Sequence, residues 1–222
     1  MIVHRSGPVT LIGGAAVDAT VFRLAMSLGE RVVAADGGAT TALAHGVMPE
    51  AVIGDFDSIP QNVRAALPDS VLYHVTEQDS TDFEKCISRI DAPLIIGAGF
   101  SGARVDHQLA VCNVLVRWPT RRCVLISEDD CLFLAPPNLA LDLPAGCRVS
   151  LFPMGTVEGR SDGLNWPVDG LTLTPDGQIG TSNFSTGPVQ LSVTEPKLLM
   201  ILPVEHLGQV VDMLMHNPAR WP

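Results

Sequence analysis

Between residues 9 and 128 the chain alternates short apolar runs with stretches of helical periodicity, and few folds accept that pattern. Val9–Ile12 is an apolar run ending on Gly13 and Gly14. Val21, Leu24, Ala25 and Leu28 then share one helical face that Gly29 can terminate. Arg31–Ala35 predicts the next strand, residues 40–45 a short helix stopped by Gly46, residues 51–53 a third strand and residues 71–75 a fourth. Thr81 and Glu84 fit a capping box that opens a helix carrying Phe83, Cys86, Ile87 and Ile90. Residues 94–96 predict a strand, Asp106 caps a helix over 107–118, and Cys123–Ile126 closes the series. Repeated strand and helix in this order predict an α/β fold, an open and mainly parallel sheet whose ligands gather beyond the carboxyl ends of the strands.

After Ser127 the texture changes to short β-like runs broken by Pro and Gly, at 131–134, 139–143, 148–152, 171–173, 190–193 and 198–201. The alternation of Val189, Leu191 and Val193 suits a sheet with one buried face. The expected organisation is an α/β domain over 1–128 followed by a smaller all-β, sandwich-like domain over 129–222. That second domain ends in a helix at 206–216, where Leu207, Val210, Val211 and Met215 recur on one side.

Charge narrows the partners. With 14 basic against 24 acidic residues the net charge is -10, and the longest basic cluster is Arg121 with Arg122. A nucleic-acid partner is not expected, because binding one requires a positive footprint. Phosphate compounds remain open to an acidic protein if metal ions stand between carboxylates and phosphates. No run reaches the roughly 18–20 apolar residues of a membrane span, and the N-terminal segment reads as the start of the domain. Five scattered cysteines without a CxxC pair predict free buried thiols in a reducing compartment, hence a cytoplasmic protein.

Gly54-Asp55-Phe56-Asp57-Ser58 is the densest chemical feature. In an extended segment Asp55 and Asp57 point to one side, and two like charges so placed call for a hard cation such as magnesium, with phosphate as its other ligand. An acidic turn capping its own backbone accounts for the same letters. Asp79 and Asp82 bracket a helix start with Lys85 one turn on, which suits metal and phosphate chemistry or plain capping. Asp36-Gly37-Gly38 allows a phosphate or ribose to approach the backbone, or is a tight turn.

Gly97, Gly99 and Gly102 spell GxGxxG after a strand, with Glu128 following 26 residues after the last glycine. In a dinucleotide fingerprint that interval is about 20, and the third glycine lies in the helix. A loop presenting Arg104 to phosphate and Asp106 to a metal accounts better for the segment, with N-capping by Asp106 and a surface role for Arg104 as the plain alternatives. P-loop and HExxH motifs are absent. In the β domain, Trp166 beside Ser182 and Asn183 suits stacking on an aromatic ring with polar groups at its edge, or packing.

Taken in order, these segments resemble the thiamine pyrophosphokinase family: DGGxxxLxxxGxxPxxxIGDFDS from Asp36 to Ser58, DxTDxxK from Asp79 to Lys85, and RxDH from Arg104 to His107, then GLxWP and SN at Trp166 and Asn183. The resemblance implies an enzyme that uses ATP with magnesium. Its metal acids would be Asp55, Asp57, Asp79, Asp82 and Asp106, and Arg104 would join them as a catalytic group. Asp36, Gly37, Gly38, Ser58, Thr81, Lys85, Arg104 and His107 would lie along the nucleotide. It also implies a homodimer in which Trp166, Ser182 and Asn183 recognise thiamine. Three departures bear on substrate and nucleotide preference: Gln78 stands where a base often precedes DxTD, Ala103 loosens the segment before Arg104, and Phe184 follows SN where Glu is common.

The implied reaction is one in-line displacement at the β-phosphorus of ATP by the thiamine hydroxyl, with Asp79 or Asp106 as proton acceptor. The competing expectations are a dinucleotide-dependent oxidoreductase built on Gly97, Gly99 and Gly102, and a catalytically silent nucleotide- or thiamine-binding regulator.

Overall fold

The computed structural model of the 222-residue chain describes every residue apart from Glu30 and Ala103. In order, the elements are β1 (Val3–His4), β2 (Val9–Ile12), α1 (Ala19–Leu28), β3 (Arg31–Ala35), α2 (Gly38–Ala44), β4 (Ala51–Gly54), α3 (Gln61–Ala66), β5 (Leu72–His74), α4 (Asp82–Ile87), β6 (Ile90–Asp91), β7 (Ile95–Ala98), α5 (Val105–Arg117) and β8 (Cys123–Ile126). Then come β9 (Asp130–Leu134), β10 (Asn138–Leu141), β11 (Arg148–Pro153), β12 (Val157–Leu164), β13 (Thr172–Leu173), β14 (Gly180–Val193), β15 (Leu198–Pro203) and α6 (Leu207–His216). The chain divides into two compact units, Met1–Val114 with Leu125–Glu128, and Leu115–Val124 with Asp129–Pro222.

The first unit is the mainly parallel α/β region expected. Its sheet runs β7-β2-β3-β4-β5 in space, with parallel registers Val9↔Ile95, Val9↔Arg31, Val33↔Ala51 and Val52↔Leu72. β2, β4 and β7 are buried along their whole length, which is why they read as continuous apolar runs and not as alternations. A short parallel ladder joins β1 to β6, neither of which the apolar pattern predicts.

Several boundaries move for identifiable reasons. α1 begins at Ala19 because the Asp18 side chain accepts from the Thr20 amide at 2.6 Å. Gly29 does follow the helix, but with φ -128° it is extended and not left-handed. A Cβ there would lie 2.6 Å from Thr10 Oγ1, whose hydroxyl donates to the carbonyls of Ala25 and Gly29, so close packing explains this glycine. Gly46 is the left-handed stop expected, at φ +74°. α5 starts at Val105, so Asp106 lies in its first turn and is not the cap expected.

The second unit is antiparallel and β-rich, as expected. β11 pairs with β14 and β15, β15 with β9, β12 with β14, and β10 with β14. β14 is fourteen residues long and changes partners along its length. Asn183 and Phe184 face β11, whereas Gln190, Leu191 and Ser192 pair with β10 on one side and β12 on the other. Such a partner exchange within one strand joins the two ladders of a sandwich-like unit. α6 closes the unit against β10 with Leu207, Val210 and Leu214 buried.

Candidate active site

Three of the carboxylates that the sequence singles out, Asp36, Asp55 and Asp57, converge where β3 and β4 end. Asp36 follows β3, is 1% exposed and has φ +43°. It fits because Gly54 has no side chain: a Cβ there would lie 2.7 Å from that of Asp36. Gly38 serves the same close packing, since its Cβ would meet the Ile12 carbonyl oxygen at 2.1 Å.

The segment after β4 does not remain extended. Phe56 has φ +69°, a left-handed conformation that costs an L-residue about 1–2 kcal/mol. Two sets of contacts offset that cost. The Phe56 amide donates to Asp36 Oδ1 at 2.8 Å and the Ser58 amide to Asp36 Oδ2 at 3.2 Å. The Phe56 ring stacks on His74 with centroids 5.2 Å apart, lies under the Arg64 guanidinium and packs against the cluster of Ala34, Val52 and Ile59. Asp55 and Asp57 are brought together by this turn and not by β-pleating. One carboxylate oxygen from each of Asp36, Asp55 and Asp57 lies within 4.8 Å of the others.

Lys85 reaches this group from α4. Only 3% of its side chain is exposed, and its ammonium donates to Asp82 Oδ1 at 3.0 Å and to Asp55 Oδ2 at 3.3 Å. Burial disfavours the charge on Lys85, but hydrogen bonds and attraction from Asp82 and Asp55 outweigh it and hold the group above its ordinary value. Burial likewise works against the Asp55 carboxylate, yet Lys85, the Asp57 amide and Gln78 hold it below the usual carboxylate range. Asp36 goes the other way: burial, reinforced by the charge of Asp82, pushes it up against the opposing pull of the Ser58 and Phe56 amides.

The departure at Gln78 acquires a place here. Its amide nitrogen donates to Asp55 Oδ2 at 3.3 Å, a neutral donor beside the Lys85 ammonium. Glu77 anchors that segment through Arg89, at 3.0 Å, and through the Ser80 hydroxyl, at 2.7 Å. Asp79 is exposed on the same loop. Thr81 is the N-cap of α4, its hydroxyl accepting from the Glu84 amide at 3.3 Å.

Arg104 and Asp106 meet each other. The guanidinium clamps the carboxylate through Nε at 3.1 Å and Nη2 at 2.6 Å, which holds Asp106 at about 2. Both are exposed, as is His107. Among the described residues the three-carboxylate group contains Asp36 and omits Asp79, Asp82 and Asp106, so the metal set expected from sequence is only partly assembled. The departure at Ala103 lies outside the described residues. Gly97 lies inside β7, where a Cβ would come 2.7 Å from Leu125. At Gly99 a Cβ would meet the Gly13 carbonyl oxygen at 2.8 Å. Gly97 and Gly99, two of the three glycines of the supposed dinucleotide fingerprint, thus satisfy packing, whereas a Cβ at Gly102 would meet nothing within 4 Å.

In the second unit Trp166 is 58% exposed and therefore not a core residue. Phe184 meets its ring edge-on with centroids 5.3 Å apart. Asn183, only 4% exposed, spends its amide on the backbone of Trp166: Oδ1 accepts from the Trp166 amide at 3.1 Å and Nδ2 donates to its carbonyl at 2.7 Å. Asn183 thus holds the turn that presents Trp166, whereas the expectation was that it faces a ligand. Ser182 is exposed with φ +60°, and its amide donates to Ser150 Oγ at 3.1 Å. Sequence reasoning ranked Phe184 only as a departure; Trp166 follows β12 and Phe184 lies in β14, so their ring contact leaves no local mark in the letters.

An open parallel α/β sheet with a three-carboxylate cluster beyond its strand ends, followed in the chain by an antiparallel β unit, defines a two-part α/β-plus-β protein. Comparison with known proteins takes this to a family. The family profile described as thiamin pyrophosphokinase, catalytic domain, matches residues 22–126. Thiamine pyrophosphokinase 1 of Arabidopsis thaliana is 30% identical over 80% of this chain and 73% of its own length. Thiamine pyrophosphokinase 1 of rice, Oryza sativa subsp. japonica, is 32% identical over 61% of this chain, a match spanning 58% of the rice protein. Among solved structures, thiamin pyrophosphokinase from Candida albicans superposes with a TM-score of 0.77 at 17% identity, covering 89% of each chain. The chain belongs to the thiamine pyrophosphokinase family.

Proposed function

We propose that the chain transfers the diphosphoryl group of ATP to the hydroxyl of thiamine, giving thiamine diphosphate and AMP. The observation that carries this reading is the convergence of Asp36, Asp55 and Asp57 within 4.8 Å in a chain of this family. Three carboxylates at that spacing repel one another unless a cation stands among them, and an all-oxygen donor set suits magnesium.

Asp55 and Asp57 are the residues that would hold the ion, with Asp82 connected to Asp55 through Lys85. Bound there, magnesium supplies charge neutralisation for the polyphosphate. Asp36, Gly37, Gly38 and Ser58 line the nucleotide side of the same turn. Arg104, exposed just before α5, opposes charge on the transferred group. A carboxyl held at about 2 is a weak base, so Asp106 while paired with Arg104 is poorly suited to accept the hydroxyl proton. Asp79, exposed on its loop, remains the other candidate acceptor.

In the second unit the exposed face of Trp166, beside Ser182, offers a stacking or cation–π partner for the pyrimidine and thiazolium rings of thiamine. The working unit is a homodimer, as the family resemblance implies. A cytoplasmic setting agrees with five free cysteines, and among the described residues no helix is long and apolar enough to cross a membrane.

The deciding experiment incubates the protein with thiamine, magnesium and ATP labelled separately at the β and γ positions, with products identified by mass spectrometry. Both labels in the thiamine product, with AMP released, are expected. Recovery of the γ label alone would defeat the diphosphoryl assignment.

A further inference from the structure

The geometry points to Asp36 as a positioning residue: its carboxylate acts as a strut that holds Phe56 in the left-handed conformation and so sets where Asp55 and Asp57 stand for the cation. This inference rests on the metal-binding reading above and assigns Asp36 a task other than contact with the nucleotide.

Four observations carry it. Asp36 is 1% exposed, so it faces the turn and not solvent. Both of its oxygens are engaged by backbone amides of that turn, Phe56 on Oδ1 and Ser58 on Oδ2, which brackets Asp57 between two anchored residues. Phe56 is one of only three non-glycine residues with positive φ among those described, and Asp36 itself is another, so the two strained positions face each other across one hydrogen bond. Gly54 leaves the space that lets the strut stand there, since any side chain at that position would strike Asp36. An aromatic residue does not enter the left-handed region unaided, and without the carboxylate the turn relaxes toward conformations in which Asp55 and Asp57 separate. Glycine adopts that region freely, whereas alanine does not. The strain therefore has its own chemical handle.

Two measurements test the strut. The first is amide hydrogen exchange on the unmodified protein, which needs no metal: the Phe56 and Ser58 amides should be protected, and exchange at the rate of unprotected loop amides overturns the proposal. The second is calorimetric titration with Mn2+ alone, alongside thermal unfolding, of Phe56→Gly and Phe56→Ala, each in the parent and in Asp36→Asn. Both substitutions remove the ring, and only glycine relieves the strain. With Asp36 present the two should bind Mn2+ within about twofold of each other. With Asp36→Asn the glycine variant should bind at least fivefold tighter than the alanine variant. An equal glycine-to-alanine ratio in both backgrounds overturns the strut and leaves Asp36 as a direct ligand. If Asp36→Asn does not fold, hydrogen exchange decides alone. Absence of Mn2+ binding by the parent protein would instead sink the metal reading, with the exchange result still judging the strut.

Discussion

Lys85 and Asp55 meet across 30 residues of sequence, the ammonium nitrogen 3.3 Å from Asp55 Oδ2, with only 3% of the lysine side chain exposed. A lysine so buried is tolerable only while its carboxylates stay charged, so the pair ties α4 to the turn after β4. Lys85→Met keeps the length of the side chain and removes the charge, leaving Asp55 and Asp82 uncompensated. Breaking a buried pair costs about 3–5 kcal/mol, and the 39% exposure of Asp82 lowers the expectation here to roughly 2–3 kcal/mol. Urea unfolding should show that loss, and magnesium should restore part of it. A variant as stable as the parent would mean that water already screens the pair.

Asp57 stands at the opposite extreme. It is exposed, and its one side-chain hydrogen bond is accepted from the neighbouring Ser58 hydroxyl at 2.8 Å. Asp57→Asn keeps an oxygen for that bond and removes one negative charge. Its unfolding free energy should stay within about 0.5 kcal/mol of the parent, while turnover in magnesium falls roughly 100-fold. Full activity of the folded variant would remove Asp57 from the metal-binding group.

What the sequence made legible divides along physical lines. Strands buried on both faces, such as Val9–Ile12 and Cys123–Ile126, announce themselves as apolar runs and were readable to the residue. β12, with the sequence VEGRSDGL, is buried only at its ends, so nothing apolar marks it. β14 hid its length behind Gly187 and Pro188. At the site, residue types and spacing singled out Asp55 and Asp57, but period-two alternation was the wrong reason for their meeting. A positive φ at a phenylalanine leaves no mark in the letters, because the partner that stabilises it lies 20 residues upstream at Asp36.

The cysteines offer a check on the packing of both units. Burial raises the thiols of Cys86, Cys123 and Cys131, the last to about 12, and raises those of Cys112 and Cys147 as well. Thiolate is the reactive form, so at pH 8 the folded protein should take up N-ethylmaleimide slowly, with the half-buried Cys112 modified first and all five modified after unfolding. Mass spectrometry of the timed reaction reads the order. Early labelling of Cys86 or Cys123 would contradict the closed core around them.

Trp166 and Asn183 separate recognition from support. Because the Trp166 ring is 58% exposed, Trp166→Ala opens no core cavity, and its stability cost should stay below about 1 kcal/mol, well short of the roughly 3–5 kcal/mol of a buried aromatic. Losing a stacking or cation–π face worth roughly 0.5–2 kcal/mol should weaken thiamine binding about 2- to 30-fold. Asn183→Ala leaves the ring in place but removes both hydrogen bonds to the Trp166 backbone and the one from the Phe184 amide at 2.9 Å. Buried backbone groups left without partners cost roughly 1–3 kcal/mol. This variant should therefore lose stability first, and lose thiamine affinity because the turn no longer presents the indole. Calorimetric thiamine titration and thermal unfolding of the two variants, with ATP binding as control, distinguish the roles. Ordinary thiamine affinity in a folded Trp166→Ala protein would place recognition elsewhere. If Asn183→Ala weakened thiamine binding with no loss of stability, the buried amide would be a ligand contact and not the support of the turn.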